Sequence, residues 1–304
     1  MVIRTVRGDI SPEQLGVTYM HEHLFGYSLS EGADPDLRLD SEAAAGLELS
    51  LFKQAGGQAV VEVSPQDYNR NPPVLKRLSE ATGIHIIAVT GFIKGSSANP
   101  LVENKTINEI TDELIRDVTE GMNGTDSKAG LLKGGSSLKR ITANEEKILR
   151  AVARAQRETG TLISTHTEAG TMALEQIALF KEEGVPPEKL LIGHTDRNLD
   201  FDYHLQIANT GVTLGYDQFS KEKYAPDFKR IEFICKLFKA GFGKQIAISG
   251  DLARRSDLTS YGGGPGYTFL LWRIKPWLRK IGLSEGDLET LLVETPRRLL
   301  SFEP

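Results

Sequence analysis

Two histidines one residue apart, His21 and His23, follow the short apolar run at residues 17–20. Side chains alternate across a strand, so positions 21 and 23 share one face and Glu22 takes the other, facing the wall. Two imidazoles on one face can converge on a single cation. Alone, the pair is equally well read as a surface or turn feature, and the decision falls to whether the chain supplies further ligands. Lys133, His166, His194 and Asp251 are the candidates by type, the lysine excepted. Each also has an ordinary reading: His166 and His194 as core histidines satisfied by a backbone carbonyl, Asp251 as a helix N-cap.

The elements that carry them decide the matter. Short apolar or β-branched runs occupy residues 17–20, 58–63, 85–91, 129–133, 161–166, 189–194, 211–216 and 245–251. Helical periodicity lies between them, at residues 107–121, 144–159, 171–183 and 200–209 among others, with capping threonines at 106 and 142. Eight strands alternating with helices predict a closed parallel (β/α)8 TIM barrel, with an open doubly wound sheet as the alternative. No composition shift divides the chain, so residues 1–304 are expected to form a single domain.

Reactive groups in such barrels sit at the C-terminal ends of the strands. The first strand runs into His21 and His23, the fourth into Lys133, the fifth into His166, the sixth into His194 and the eighth into Asp251. That joint placement favours one shared site over separate packing roles. Of the remaining histidines, His85 starts a strand at the opposite end of the barrel and His204 lies in a helix, so both are read as structural.

Lys133 is the odd member, because an ammonium repels a cation. A neutral or chemically altered lysine is required. Here the sequence resembles the phosphotriesterase-like lactonases of the amidohydrolase superfamily. The resemblance runs from Tyr-Met-His-Glu-His-Leu (residues 19–24) through Ala-Gly-Leu-Leu-Lys, Thr-His-Thr-Glu-Ala-Gly-Thr and Ile-Gly-His-Thr-Asp-Arg-Asn to Ser-Gly-Asp-Leu and Thr-Pro-Arg-Arg-Leu-Leu (residues 295–300). It implies that Lys133 is carbamylated by CO₂ and bridges two divalent cations, zinc first and manganese or cobalt as alternatives. His21, His23 and Asp251 would hold the more buried ion, His166 and His194 the more exposed. Two such ions ~3.5–4 Å apart turn a shared water into hydroxide and polarise the substrate oxygen. Asp251 is then the catalytic proton carrier to the leaving alkoxide. Asp196 and Arg197 either relay that proton and orient the substrate or form a surface ion pair.

Metal-activated water attacks lactones, esters, amides and phosphotriesters alike, so the loops must choose the substrate. Arg254 and Arg255 after the eighth strand are natural clamps for a phosphate or carboxylate. Lys94 adds a cation, Phe92 is expected as a pocket wall, and Tyr261 with the glycine run after it as part of the active-face loop. Within the resembled family this polar loop looks like the branch acting on phosphorylated sugar lactones. The expected function is opening of a phosphorylated furanose lactone. The alternative is a lactonase or esterase for uncharged or acyl-homoserine lactones with promiscuous phosphotriesterase activity. A non-catalytic binding barrel would predict a broken ligand set, and no member is missing.

A hydrophobic fraction of 39%, a charged fraction of 25% and a net charge of −5 describe a globular chain with no electrostatic footprint for nucleic acid or an anionic membrane. The expected partner is a small anionic lactone, with a homodimer allowed. No membrane-length apolar run or signal-peptide core is visible, which makes the cytoplasm the default location. The single cysteine, Cys235, excludes an intrachain disulfide and reads as a small core residue. Trp272 and Trp277 are expected against the barrel wall, on a helix kinked at Pro276.

Overall fold

Alternating side-chain direction along strands buried on both faces builds the molecule in two nested layers. Val61, Val63, Ile87, Val89, Leu131, Leu162, Leu191 and Ala247 form one fully buried cluster that fills the barrel interior. Their neighbours Val60, Ile86, Ala88, Leu132, Ile163 and Ile192 point the other way and pack under the helices in a second, larger cluster. Period-two alternation with both faces apolar is what a parallel sheet covered by helices demands. In this computed structural model residues 1–28 and 32–304 are described, the side chain of Ser96 excepted.

The strands are β1 (Ile3–Thr5), β2 (Gly8–Ile10), β3 (Thr18–Glu22), β4 (Ala59–Glu62), β5 (His85–Gly91), β6 (Leu131–Ser136), β7 (Leu162–Thr167), β8 (Leu190–Ile192), β9 (Thr213–Tyr216) and β10 (Ile246–Ile248). The helices are α1 (Glu42–Gln54), α2 (Pro72–Thr82), α3 (Gly95–Val102), α4 (Ile107–Thr119), α5 (Ala143–Thr159), α6 (Ala173–Glu182), α7 (Phe201–Asn209), α8 (Asp227–Lys239), α9 (Lys275–Lys280), α10 (Glu285–Glu289) and α11 (Thr295–Leu300). Strands β3 to β10 lie side by side in chain order, each pair parallel. The result is the expected (β/α)8 TIM barrel. Thr106 and Thr142 open α4 and α5 with reciprocal capping boxes to Glu109 and Glu145.

The barrel closes between β10 and β3 through single contacts instead of a continuous ladder. Asp251 N donates to the His21 carbonyl at 3.1 Å, and His21 N donates to Ser249 Oγ at 3.0 Å. Buried Glu22 completes the seam, accepting from Ser249 Oγ at 2.7 Å, Gly250 N at 2.7 Å and Leu252 N at 2.9 Å. Glu22 therefore faces out of the barrel as expected, and its work is to tie the last strand to the first.

A bulge in β3 sets the side-chain direction at the site. Tyr19 pairs with Val60 and Glu22 with Glu62, so three steps on β3 oppose two on β4. Tyr19 belongs to the outer cluster and Met20 to the inner one. The extra residue is what lets His21 point inward as well, with Glu22 outward and His23 inward again.

Several expectations are corrected. The hairpin of β1 and β2 was not anticipated; its three-residue strands are too short to show periodicity. Trp272 and Trp277 are 57% and 40% exposed, because Leu270, Leu271, Ile274 and Leu278 take the inner face of that segment. The segment does change character near Pro276, with a π-helical turn over Leu270–Ile274 running into α9. Cys235 is half-buried at the edge of an outer groove, one step off the inner stripe of Ile231, Ile234 and Leu237 on α8. Among the described residues no helix is long and apolar enough to cross a membrane.

Candidate metal centre

The C-terminal ends of the barrel strands open into a cavity of about 280 Å³ whose floor carries His21, His23, Lys133, His166, His194 and Asp251. All six expected ligands are thus brought together, from β3, β6, β7 and the residues just after β8 and β10. His194 and Asp251 have left-handed backbones, with φ of 59° and 48°. For residues with side chains that conformation is costly, and surrounding contacts must impose it. Asp217 supplies them for His194, accepting its backbone N–H at 3.1 Å.

Each imidazole has one nitrogen turned outward to a fixed partner and one turned into the centre. His23 Nδ1 meets Ser64 Oγ at 2.8 Å, His194 Nδ1 meets Asp217 Oδ1 at 2.7 Å, and His166 Nε2 meets Glu168 Oε2 at 3.3 Å. His21 Nδ1 lies 3.5 Å from Asp217 Oδ2, with no hydrogen bond of its own. The inward atoms crowd together: His194 Nε2 and His166 Nδ1 are 2.9 Å apart, and Asp251 Oδ1 lies 3.2 Å from His23 Nε2 and 3.6 Å from His21 Nε2. Outer partners of this kind fix the tautomer and ring direction of a metal-binding histidine.

The electrostatics suit cation binding. Burial pushes His21 and His23 down and His166 down to about 4, which keeps their lone pairs available. Burial also lowers His194, but Asp217 more than offsets it and raises that ring overall. Against the opposing effect of burial, Lys221 and the neighbouring histidines hold the Asp251 carboxyl well below its usual range. Lys133 is fully buried, donates to the Val63 carbonyl at 3.0 Å and is pushed down by burial, the direction that favours a neutral amine.

The ligand atoms of His21, His23 and Asp251 lie within 4.8 Å of one another, and so do those of His21, His194 and Asp217. Neutral nitrogens and carboxylate oxygens at this spacing fit divalent cations of the zinc type. Asp217 escaped sequence reasoning. The available signal was its position directly after β9, in Tyr216-Asp217-Gln218, at one of the three strand ends from which no ligand was sought. Gln218 Nε2 and Lys221 Nζ, equally unforeseen, donate to Asp251 Oδ2 at 2.7 and 2.9 Å and leave Oδ1 facing the histidines.

The expected substrate contacts divide. Lys94 lines the cavity but is ion-paired with Glu168. Arg197 also pairs with Glu168, at 3.1 Å, and stacks over Tyr224. Phe92 is fully buried in the outer cluster and does not line this cavity, since the strand alternation that turns its neighbours in turns it out. Arg254 and Arg255 do not line the cavity; acids of the segment between β3 and α1 hold them. Tyr261 accepts Ser41 N–H at 3.0 Å and stacks on Arg255, which places it in the loop framework. Asp196 forms no surface ion pair with Arg197. It is completely buried and bonded to Arg230 Nε at 2.9 Å. His85 and His204 are structural, near Arg7 and Tyr216 respectively.

A (β/α)8 barrel with this donor set at its strand ends is a metal-dependent hydrolase. Residues 1–300 match the phosphotriesterase family, and the chain belongs to it. The chain is 39% identical to a lactonase from Listeria monocytogenes, with a TM-score of 0.95 and all of both chains covered. A crystal structure of the phosphotriesterase homology protein from Escherichia coli, complexed with phosphate in its active site, is 33% identical with a TM-score of 0.92, covering 95% of this chain and 99% of that one. An N-acetyltaurine hydrolase from Dictyostelium discoideum is 31% identical over 99% of this chain and 98% of its own.

Proposed function

We propose that this hydrolase opens a phosphorylated furanose lactone. The observation that carries the reading is the convergence of His21, His23, His166, His194, Lys133 and Asp251 on the floor of one small cavity with Lys94 in its wall. Two divalent cations, with zinc favoured over manganese or cobalt and carbamylated Lys133 between them, would supply Lewis acidity to water and to the scissile carbonyl. His21, His23 and Asp251 would hold one, His166 and His194 the other. Asp251 accepts the proton of the attacking water and passes it to the leaving alkoxide, with Gln218 and Lys221 holding its second oxygen in place. The Asp217 and Glu168 carboxylates keep His194 and His166 turned inward throughout.

A cavity of about 280 Å³ suits a compact substrate and leaves little room for a long acyl tail, since drug-sized ligands take roughly 300–1,000 Å³. Likeness to the Listeria lactonase and to an Escherichia coli relative that holds phosphate supports a lactone carrying an anion. A second reading has its own support. Likeness to an N-acetyltaurine hydrolase favours an amide that carries a sulfonate. Both substrates join a cleavable carbonyl to a strong anion. Parallel assays of furanose lactones with and without a phosphate, of acyl-homoserine lactones, and of N-acetyltaurine decide between them. Equal rates on phosphorylated and plain lactones would refute the leading reading. The homodimer and the cytoplasmic location belong to the same proposal, and sedimentation velocity reads the first.

A further inference from the structure

The two arginines expected to grip an anion are already gripped. Arg254 Nη1 lies 2.5 Å from Asp34 Oδ2 and 3.4 Å from Asp36 Oδ2. Ser256 donates its N–H at 2.8 Å and its hydroxyl at 2.6 Å to the two oxygens of Asp36. Arg255 adds Asp40 at 2.6 Å and the Arg38 carbonyl at 2.6 Å. These partners stand 215 to 220 residues apart in sequence, so the bonds join the segment before α1 to the loop after β10.

That joint forms part of the cavity rim. Leu37 and Ala253, immediate neighbours of Asp36 and Arg254, both line the cavity. Tyr68, another lining residue, donates its hydroxyl to the Leu37 carbonyl at 3.0 Å, which holds the acidic segment to the inner wall. Arg38 joins the network through Asp40 at 2.6 Å, so three arginines here face three carboxylates, those of Asp34, Asp36 and Asp40. The occupied rim therefore offers an incoming anion no net attraction, and only an anion that replaces a carboxylate on a guanidinium gains contact.

Resting on the reading of an anionic substrate, we propose that Asp34 and Asp36 are specificity-determining residues whose carboxylates stand in for the substrate's anion on Arg254 and are displaced by it. A guanidinium offers the same pair of N–H donors to a carboxylate, a phosphate or a sulfonate. The exchange is feasible because Asp34 and Arg254 are 48% and 29% exposed, so solvent screens the existing pairs. The buried pairs elsewhere differ: Arg230 and Asp196 are both at 0% and cannot exchange in this way. A dianion competes better than a monoanion for a site already filled by a carboxylate, so the rim selects for charge density. An uncharged substrate has nothing to displace and gains nothing there.

The test uses inorganic phosphate titrated calorimetrically into zinc-loaded protein: wild type, Asp34→Asn with Asp36→Asn, Arg254→Ala, and the triple variant. The Asn pair removes the competing charge and should tighten phosphate at least fivefold, and Arg254→Ala in that background should abolish the gain. Equal or weaker phosphate binding by the Asn pair overturns the stand-in role and leaves the anionic-lactone reading intact. A gain that survives Arg254→Ala overturns it too, because the effect then does not pass through that guanidinium. Phosphate bound by no variant would sink both this proposal and the anionic substrate.

Discussion

Asp217 reaches two of the four histidines at their Nδ1 atoms, His194 at 2.7 Å and His21 at 3.5 Å, while Asp251 faces the Nε2 atoms of His21 and His23. Replacing it with Asn keeps the size and removes the charge that orients His194. Asp217→Asn should weaken metal binding by about 10–100-fold, the range seen when an outer partner of a ligand is lost, as read by competition with a chromogenic chelator. Lys133→Ala should lose bound metal and activity together, and a variant that kept both would exclude Lys133 as a bridge. The six candidate ligands were legible because each ends or follows a strand in a recognisable order. Asp217 was not, because its role is to face a histidine, and sequence spacing shows strand ends but not which of them lean together. Phe92, Arg254 and Arg255 show the opposite failure. A residue type fixes what a side chain can bind, while the neighbours that claim it first are known only from the fold.

At the level of elements, strand and helix positions were readable from periodicity, while the barrel seam was not. Glu22 sits at that seam with three donors on its carboxylate, and burial raises it to about 7. Glu22→Gln cannot accept all three bonds and turns an N–H toward one donor. It should cost about 1–3 kcal/mol in urea unfolding, the range for leaving a buried polar group unpaired. The second tie between elements is α8 to the end of β8, through the buried Arg230 and Asp196. Arg230→Met strands a buried carboxylate and should destabilise by roughly 3–5 kcal/mol. Asp196→Leu added to it should restore much of that loss. If the double variant is as unstable as the single, the pair is not the cause.

For the whole molecule, ligand atoms drawn from both ends of the chain make cation binding a stabilising linkage, since only the folded barrel collects them. An excess of zinc at 100 times its dissociation constant should raise unfolding free energy by about 2.7 kcal/mol, and chelation should reverse it. Differential scanning calorimetry with and without chelator reads this, and Lys133→Ala should flatten the response. The bulge in β3 carries a consequence of another kind. Between Tyr19 and Glu22 the chain holds one residue more than its neighbour strand needs. Adding a single residue to β4 between Val60 and Glu62 would leave every ligand type in place and restore strict alternation along β3, turning His21 from the centre to the wall. Length is therefore as much a part of the message in that stretch as spelling. Descendants of this sequence can exchange letters along β3 and β4 more freely than they can change the length of one against the other.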